Sequence, residues 1–137
     1  MTLFAGMQIF QWEPPGYQPL VFSAGWQVAI LNAEPGFQLE NLGEIERHNQ
    51  TDEVFVLLKG KAVLFCIPID GDLQIQEMLP NTIYNITRGS WHNLVSSADA
   101  SWLIVENRDT HLGDTEFRQL SDTELKKIRM ALGSWED

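Results

Sequence analysis

The stretch that decides the fold reads ERHNQTDEVFVLLKG and occupies residues 46–60. Three metal-capable side chains, Glu46, His48 and Glu53, lie at its start, and an apolar run then leads to Gly60. A short run rich in β-branched and aromatic residues that stops at a glycine is typical of a β-strand. The stretch therefore predicts a strand with a cluster of polar, metal-capable residues at its head.

Alternation along an extended chain decides which of these side chains can meet. Successive side chains point to opposite faces, so Glu46 and His48 are predicted to share a face while Arg47 points away. By the same rule Glu53 shares a face with the apolar residue Phe55. An ionised carboxylate among core residues is costly unless it is paired or coordinates a metal. This cost favours a paired or metal-bound Glu53.

A second imidazole lies in Gly89-Ser90-Trp91-His92, where a short turn enters another extended segment. Two imidazoles with two carboxylates suit a divalent transition metal, with iron or manganese natural and zinc or nickel as alternatives. The residues alone leave open whether these groups ligate a metal or form hydrogen-bonded pairs. The third histidine, His111, lies in a loop with no partner pattern and is predicted to be solvated.

The rest of the chain is a series of short apolar runs separated by turn residues. Strands at a spacing of about 8 to 12 residues with no intervening helix predict an all-β sandwich or barrel. Asp70-Gly71 predicts a type I′ hairpin turn. The predicted strands cover residues 8–12, 20–23, 26–32, 38–42, 54–58, 62–69, 73–78, 83–86, 93–96 and 102–106.

The C-terminal segment has the signature of a helix. Ser121 and Glu124 form a capping-box pattern, and Gly133 is a plausible stop, which predicts a helix over residues 122–132. Its apolar residues share one face, so we expect the helix to dock on the outside of a sheet.

Length and charge limit the possible partners. A chain of 137 residues with 44% hydrophobic content is predicted to form one domain, residues 1–137, with its barrel core at about 20–107. The net charge of −10 argues against nucleic acid or an anionic membrane as partner, because both attract clustered Lys and Arg. The first ten residues carry no Lys or Arg and no long apolar run. They predict neither a signal peptide nor a membrane span, and we expect a cytoplasmic protein.

The spacing of these residues resembles the two signature motifs of the cupin family. The first reads Gly, five residues, His-x-His, three or four residues, Glu, six residues, Gly, and is matched at His48, Glu53 and Gly60. The second reads Gly, five residues, Pro-x-Gly, two residues, His, three residues, Asn, and is matched at Gly89 and His92. The departures are Glu40 and Asn81 for the leading glycines, Glu46 for the first histidine, Thr87 for the proline and Ser96 for the asparagine.

The resemblance implies a double-stranded β-helix, a small jelly-roll barrel with the site in its mouth, and a homodimer. It implies that the metal positions carry over directly to His48, Glu53 and His92, and to Glu46 as a substituted ligand. A carboxylate in place of an imidazole adds negative charge and favours harder ions. Alternatively, it marks a pocket that has lost its metal and binds a polar ligand instead.

The ligand can be narrowed by charge. Only Arg88, Arg108 and Arg118 remain as basic residues near the predicted site, too few for a multiply phosphorylated ligand. A small polar molecule such as a sugar or a keto or hydroxy acid is predicted, with Trp91 and Trp102 as an apolar wall or as core residues. Three functions remain open: a metal-dependent enzyme, a metal-free small-molecule binder or sensor, and a metal-free structural homodimer.

Overall fold

The structure is a computed structural model that describes residues 2–4 and 6–135. Short strands dominate it, and the two helices, α1 (Thr110–Gly113) and α2 (Asp122–Ala131), follow the main run of strands. The strands are β1 (Thr2–Phe4), β2 (Met7–Ile9), β3 (Gly16–Phe22), β4 (Trp26–Asn32), β5 (Glu44–Arg47), β6 (Glu53–Lys59), β7 (Ala62–Ile67), β8 (Gln74–Glu77), β9 (Tyr84–Ile86), β10 (Trp91–Ser96), β11 (Ser101–Asn107) and β12 (Glu116–Gln119).

Ten of these strands form two five-stranded sheets, with the orders β12-β5-β10-β7-β8 and β3-β4-β11-β6-β9. Every strand pair within them is antiparallel. Strands β1 and β2 form a separate two-stranded hairpin. The predicted all-β fold is confirmed.

The core lies between the two sheets and follows the period-two rule of strands. Leu64 and Leu94 of one sheet and Trp102 of the other belong to a single buried cluster. The alternating neighbours Val63 and Val95 point the other way, into a second buried cluster. Strand β7 is therefore apolar along its length because both of its faces are covered.

Helix α2 supplies the cover for that second face, as the sequence predicted. Ile128 is fully buried against the sheet, and Leu132 lies in the same cluster. The predicted capping box is confirmed: the Glu124 backbone N–H donates to the Ser121 hydroxyl, and the Glu124 side chain accepts from the Ser121 N–H. The helix ends at Ala131, one residue before the predicted end.

The predicted strand at residues 38–42 is wrong. That segment contains two single-turn 3₁₀ helices, Pro35–Phe37 and Leu39–Asn41. Pro35 fixes its own φ, and its carbonyl accepts both the Gln38 N–H at 3.2 Å and the Asn41 side-chain amide at 2.8 Å. These local hydrogen bonds satisfy the backbone without a neighbouring strand.

The predicted type I′ turn at Asp70-Gly71 is also wrong, although β7 and β8 pair as a hairpin. Gly71 is not among the described residues with positive φ, which both central positions of that turn require. Pro68 has no N–H to donate to the ladder, so β7 ends at Ile67 and the connection widens to residues 68–73.

Strand β12 and helix α1 were not predicted. Strand β12 is a short polar segment, Glu116–Gln119, whose extended shape is set by pairing with β5 rather than by its own composition. No helix in the described part of the chain is long and apolar enough to cross a membrane.

The Arg118–Glu124 pair gives a stability prediction for the α2 terminus. Two guanidinium nitrogens of Arg118 lie 2.8 and 3.0 Å from the Glu124 carboxylate, and together with the Ser121 N–H they lower its pKa to about 2. We expect Glu124→Gln to lower the free energy of unfolding by about 1 kcal/mol at neutral pH. Urea unfolding measures this, with the exposed strand variant Glu77→Gln as the control for loss of a carboxylate.

The sign of its pH dependence follows from the lowered pKa. A carboxylate stabilised in the folded state contributes its stability above its usual pKa and loses it as the pH falls towards about 2. The difference between the wild type and Glu124→Gln should therefore shrink below about pH 4.5. A difference that stays constant down to acid pH would contradict the ion-pair explanation.

Candidate metal centre

A cavity of about 290 Å³ lies between the sheets. Its lining combines apolar side chains, among them Phe55, Leu94 and Ile104, with a set of carboxyl and imidazole groups. The two kinds of group occupy one space because β6 and β11 of one sheet face β5 and β10 of the other. The cavity therefore contains the kinds of side chain that the predicted site requires.

The structure brings all four predicted site residues together on this cavity. One candidate ligand atom from each lies within 4.8 Å of every other. Three of the side chains are buried and Glu46 is half-buried. The four are Glu46 on β5, His48 directly after β5, Glu53 at the start of β6, and His92 on β10.

Strand pairing explains how residues so far apart in sequence meet. Glu46 lies directly opposite His92 in the antiparallel β5–β10 pair. The carbonyl of His48 accepts the Gly89 N–H at 2.6 Å, which ties the end of β5 to the turn before β10. Gly89 has a φ of 81°, a left-handed conformation that favours glycine. The two sequence motifs are thus joined by main-chain contacts.

Glu53 is the centre of the cluster. Its Oε1 lies 2.9 Å from Nε2 of His48 and 2.9 Å from Nε2 of His92. Oε1 of Glu46 lies 3.7 Å from the same His92 nitrogen. Both imidazoles therefore direct Nε2 to one carboxylate oxygen, with a second carboxylate beside them.

The other ring nitrogens fix the tautomer. Nδ1 of His48 lies 2.8 Å from the Asp114 carbonyl, and Nδ1 of His92 lies 3.1 Å from the Ser90 carbonyl. A carbonyl can only accept, so each Nδ1 carries the proton and donates it. A neutral imidazole held in this way directs the lone pair of Nε2 to Glu53. Two lone pairs facing a carboxylate oxygen require protons or a cation between them.

The loop that holds His48 in place lies between α1 and β12, two elements that the sequence did not predict. The Asp114 carboxylate accepts the backbone N–H groups of Asn49 and Gln50 at 2.9 and 2.8 Å. The Thr115 hydroxyl donates to a backbone carbonyl and lies 3.2 Å from Nδ1 of His48. Outer contacts of this kind orient metal-binding histidines.

The protonation of the cluster follows from its burial and hydrogen bonds. Burial alone would raise the pKa of Glu53, but the two imidazole hydrogen bonds outweigh it and lower that pKa to about 2. Burial opposes the charged form of His48, yet the hydrogen bond to Glu53 raises its pKa to about 9. The pKa of His92 is raised by the same carboxylate. Burial and the charge of Glu53 raise the pKa of Glu46.

The donor spacing fits a first-row metal ion. Two ligand atoms at right angles, each about 2.1 Å from an ion, are about 3 Å apart. The 2.9 Å separations of Nε2 of His48 and of His92 from Oε1 of Glu53 match this spacing. The donor set of two nitrogens and two carboxylates is suited to a divalent transition metal.

Two cavity residues, Glu106 and Tyr17, were missed from the sequence. Oε2 of Glu106 lies 3.7 Å from Nε2 of His48, and Oε1 of Glu106 accepts the Tyr17 hydroxyl at 2.5 Å. Burial and the charge of Glu53 raise the pKa of Glu106 to about 8. Glu106 lies on the same face of β11 as Trp102, so the alternation rule applied to Glu53 would have found it.

Of the two alternatives for the tryptophans, the structure supports core packing rather than an apolar wall of the cavity. Trp102 is fully buried in the core against Phe37, and Trp91 packs beneath Arg47 and Arg118 at 4.5 and 5.0 Å, so neither lines the cavity. The described lining contains no Lys or Arg, and therefore none of the three candidate arginines. Arg47 points away from the site, as predicted, and pairs with Glu116 at 3.0 Å.

His111 is exposed, as predicted, but it has partners. Its Nδ1 lies 3.1 Å from Nε2 of Gln27, and its ring centroid is 5.5 Å from that of Tyr17. It also lines the cavity, outside the four-residue cluster. These contacts join β3, β4 and α1, so no local pattern of the sequence indicates them, and His111 lies in α1 rather than in the predicted loop.

No family model matches the sequence, and no curated protein is significantly similar to it. Solved structures do match. A cupin-2 domain-containing protein from Shewanella frigidimarina has a TM-score of 0.52 at 21% identity, over 71% of this chain and 85% of that chain. A protein from Bacillus halodurans has a TM-score of 0.54 at 16% identity, over 68% and 69%.

A third match is the capsular polysaccharide assembling protein CapF from Staphylococcus aureus. Its TM-score is 0.50 at 16% identity, over 78% of this chain and 33% of that much longer chain. At such identities the similarities concern the fold, and the chemistry has to be argued from the residues of this cavity.

Proposed function

Since the chain has the cupin fold, we propose that its barrel holds one divalent transition metal ion and presents that ion to a small polar molecule. The observation that carries this proposal is the convergence of two imidazole Nε2 atoms on one carboxylate oxygen at 2.9 Å, with both Nδ1 atoms held by carbonyls. The proposed ligands are Glu46, His48, Glu53 and His92.

The chain's own residues have distinct parts in this proposal. His48, Glu53 and His92 are buried and held rigidly, so they form the fixed part of the donor set. Glu46 is the most exposed of the four and the least tightly held. It is therefore placed either to coordinate the ion or to accept a proton from the bound molecule. When bound, the ion supplies a Lewis acid that polarises a carbonyl or activates water or dioxygen.

The cavity limits the size and charge of the ligand. A volume of about 290 Å³ is at the small end of ligand sites. Its described lining carries five carboxyl groups and no Lys or Arg, which disfavours a free anion. A sugar or another neutral polar molecule fits these limits directly. A keto or hydroxy acid fits only if the ion takes its carboxylate.

Metal content tests the proposal. We expect tag-free protein exposed to iron(II), manganese, nickel and zinc to retain about one ion per chain after dialysis. Glu46→His should retain or tighten binding of nickel and zinc, because an imidazole suits these ions better than a carboxylate. Loss of binding in Glu46→His would show that Glu46 is not a simple replacement for a ligand imidazole.

A metal-free binder is the second candidate, and one observation favours it. The raised pKa of His48, about 9, lets protons rather than a metal ion satisfy Glu53 at neutral pH. Metal content below about a tenth of an ion per chain under all four conditions would support this candidate and overturn the first.

A further inference from the structure

A fully buried amide holds the side chain of His111 at the cavity wall. Gln27 is 0% exposed, and its Oε1 accepts the Asp109 backbone N–H at 3.0 Å, which fixes the orientation of the amide. Nε2 of Gln27 carries two hydrogens and has two neighbours, the Tyr17 oxygen at 2.9 Å and Nδ1 of His111 at 3.1 Å. Each neighbour therefore receives one hydrogen, because an amide nitrogen donates and does not accept.

This contact sets the tautomer of His111. Because Nδ1 accepts a hydrogen bond from Gln27, the ring proton in this arrangement is on Nε2. His111 lines the cavity and is exposed, and its Nε2 has no hydrogen-bond partner among the described residues. Since Nδ1 is turned to the wall, the Nε2–H group is the part of the ring that is left to bind a molecule in the cavity.

His111 differs in this respect from the other two histidines of the chain. His48 and His92 donate their Nδ1–H groups to backbone carbonyls at 2.8 and 3.1 Å and turn Nε2 to Glu53. Of the three histidines, His111 alone keeps a ring N–H that no described group of the protein accepts.

Free donors are scarce elsewhere on the cavity wall. Its described lining carries five carboxyl groups and no Lys or Arg. Its two hydroxyl groups, those of Tyr17 and Thr115, already donate to Glu106 and to a backbone carbonyl at 2.5 and 3.0 Å. The Asn93 amide donates to another carbonyl at 2.6 Å. An oxygen of a bound molecule therefore meets an uncommitted donor in the Nε2–H group of His111.

We propose that His111 is a ligand-binding residue whose Nε2–H donates to a hydroxyl or carbonyl oxygen of an uncharged small molecule. Such a donor requires an oxygen with a lone pair and offers nothing to an ammonium group, which can only donate. A carboxylate oxygen is a stronger acceptor, but the five carboxyl groups of the lining oppose a free anion. Gln27 is the positioning residue, because it holds the ring. This role rests on the proposed function of the cavity but not on the metal ion.

Two variants separate the parts of the two ring nitrogens. In His111→Asn the side-chain oxygen can take the place of Nδ1 and accept from Gln27, but nothing replaces the Nε2–H group. In His111→Gln the amide nitrogen can take the place of Nε2, but nothing replaces Nδ1. We therefore expect His111→Asn to lose ligand binding and keep its stability. His111→Gln should keep ligand binding and unfold at a lower urea concentration, because it leaves one N–H of the buried amide without an acceptor.

Dihydroxyacetone is the probe, because it is uncharged, is small enough for a cavity of about 290 Å³ and carries both hydroxyl and carbonyl oxygens. NMR titration of chelator-treated protein measures its binding, so that metal occupancy does not affect the result. We expect His111→Asn to weaken binding about fivefold and His111→Gln to change it by about twofold or less. In the wild type, the nitrogen-15 signal of the His111 Nε2 should be that of a protonated nitrogen and should shift when the probe is added.

Other results would overturn this role. Binding by His111→Asn as tight as that of the wild type, or an Nε2 signal that the probe does not shift, would mean that the ring only satisfies the Gln27 amide. An equal loss in both variants would mean that His111 acts through the shape of the wall rather than as a donor.

Metal content separates this role from the metal proposal. Absence of probe binding by the wild type would overturn the role of His111 whatever the metal content, and a content of about one ion per chain would leave the metal proposal intact. If the wild type retains no metal but probe binding is weakened in His111→Asn and kept in His111→Gln, the metal proposal fails and the role of His111 stands.

Discussion

His92→Ala is expected to reduce the metal content of the protein from about one ion per chain to less than about a tenth. The His92 side chain is 2% exposed, and its Nε2 lies 2.9 Å from the Glu53 oxygen on which the proposed site is centred. Removing it takes away one of only two imidazoles in the cluster. Loss of an outer contact to a metal ligand costs about 10- to 100-fold in affinity, and loss of a ligand should cost more.

The chain supplies a matched control for this prediction. His111 is the remaining histidine and lines the same cavity, but it lies outside the cluster. His111→Ala should therefore keep the wild-type metal content. Elemental analysis after dialysis gives both values, and circular dichroism in chelator shows whether each variant is folded. Equal metal loss in both variants, or none in a folded His92→Ala protein, would contradict the proposed site.

The cluster was predictable from the sequence because its members obey local rules. Glu53 shares a strand face with core residues. Glu46 and His48 share one face of their segment, and Arg47 lies on the opposite face. The spacing of the second motif then supplied His92. What the sequence does not contain is the register of β5 against β10, which places Glu46 directly opposite His92. That pairing is a property of the sheet rather than of either strand.

The missed and wrongly predicted elements have other physical causes. Strand β12 is polar and only four residues long, so its own composition carries little strand signal and its shape depends on β5. The 3₁₀ turns at Pro35–Phe37 and Leu39–Asn41 replace a predicted strand because hydrogen bonds local to Pro35 compete with sheet pairing. Glu106 differs, since the alternation rule was sufficient to place it on the core face of β11.

Without metal, the wild-type protein is expected to lose stability as the pH rises from about 5 to about 9. Each group with a raised folded pKa stabilises the protein fully below its unfolded pKa and loses that contribution as the pH rises through the folded value. For His48 the window runs from about 6.5 to about 9, and for Glu106 from about 4.5 to about 8. Glu53, with a pKa lowered to about 2, loses its contribution only towards acid pH.

Glu106 and His48 both set the size of this loss, and raising the pKa of Glu106 from about 4.5 to about 8 corresponds to on the order of 5 kcal/mol. Each pKa unit corresponds to about 1.4 kcal/mol, so raising the pKa of His48 to about 9 contributes on the order of 3 kcal/mol below about pH 6.5. His92 adds to it in the same direction. Urea unfolding in chelator at a series of pH values measures the decline.

Glu53→Gln isolates the part of the decline that belongs to the cluster. A neutral amide cannot stabilise two imidazolium groups, so the variant should lose the part of the decline that His48 and His92 cause between about pH 6.5 and about 9. The part that comes from the burial of Glu106, below about pH 8, should remain. The exposed variant Glu77→Gln removes one carboxylate elsewhere and should keep the wild-type decline. An equally steep decline in Glu53→Gln would mean that Glu53 is not the group that raises the pKa of the two imidazoles.

Metal should cancel the part of this dependence that comes from the two imidazoles. Binding requires neutral imidazoles, so protons compete with the ion below the raised pKa of His48, about 9. The ion stabilises the folded state more as this competition weakens, and the metal-dependent gain in unfolding free energy should rise with pH over the same window. A metal-dependent gain that rises with pH in the wild type and is absent from Glu53→Gln would show that protons and the ion compete for the same groups, His48, Glu53 and His92.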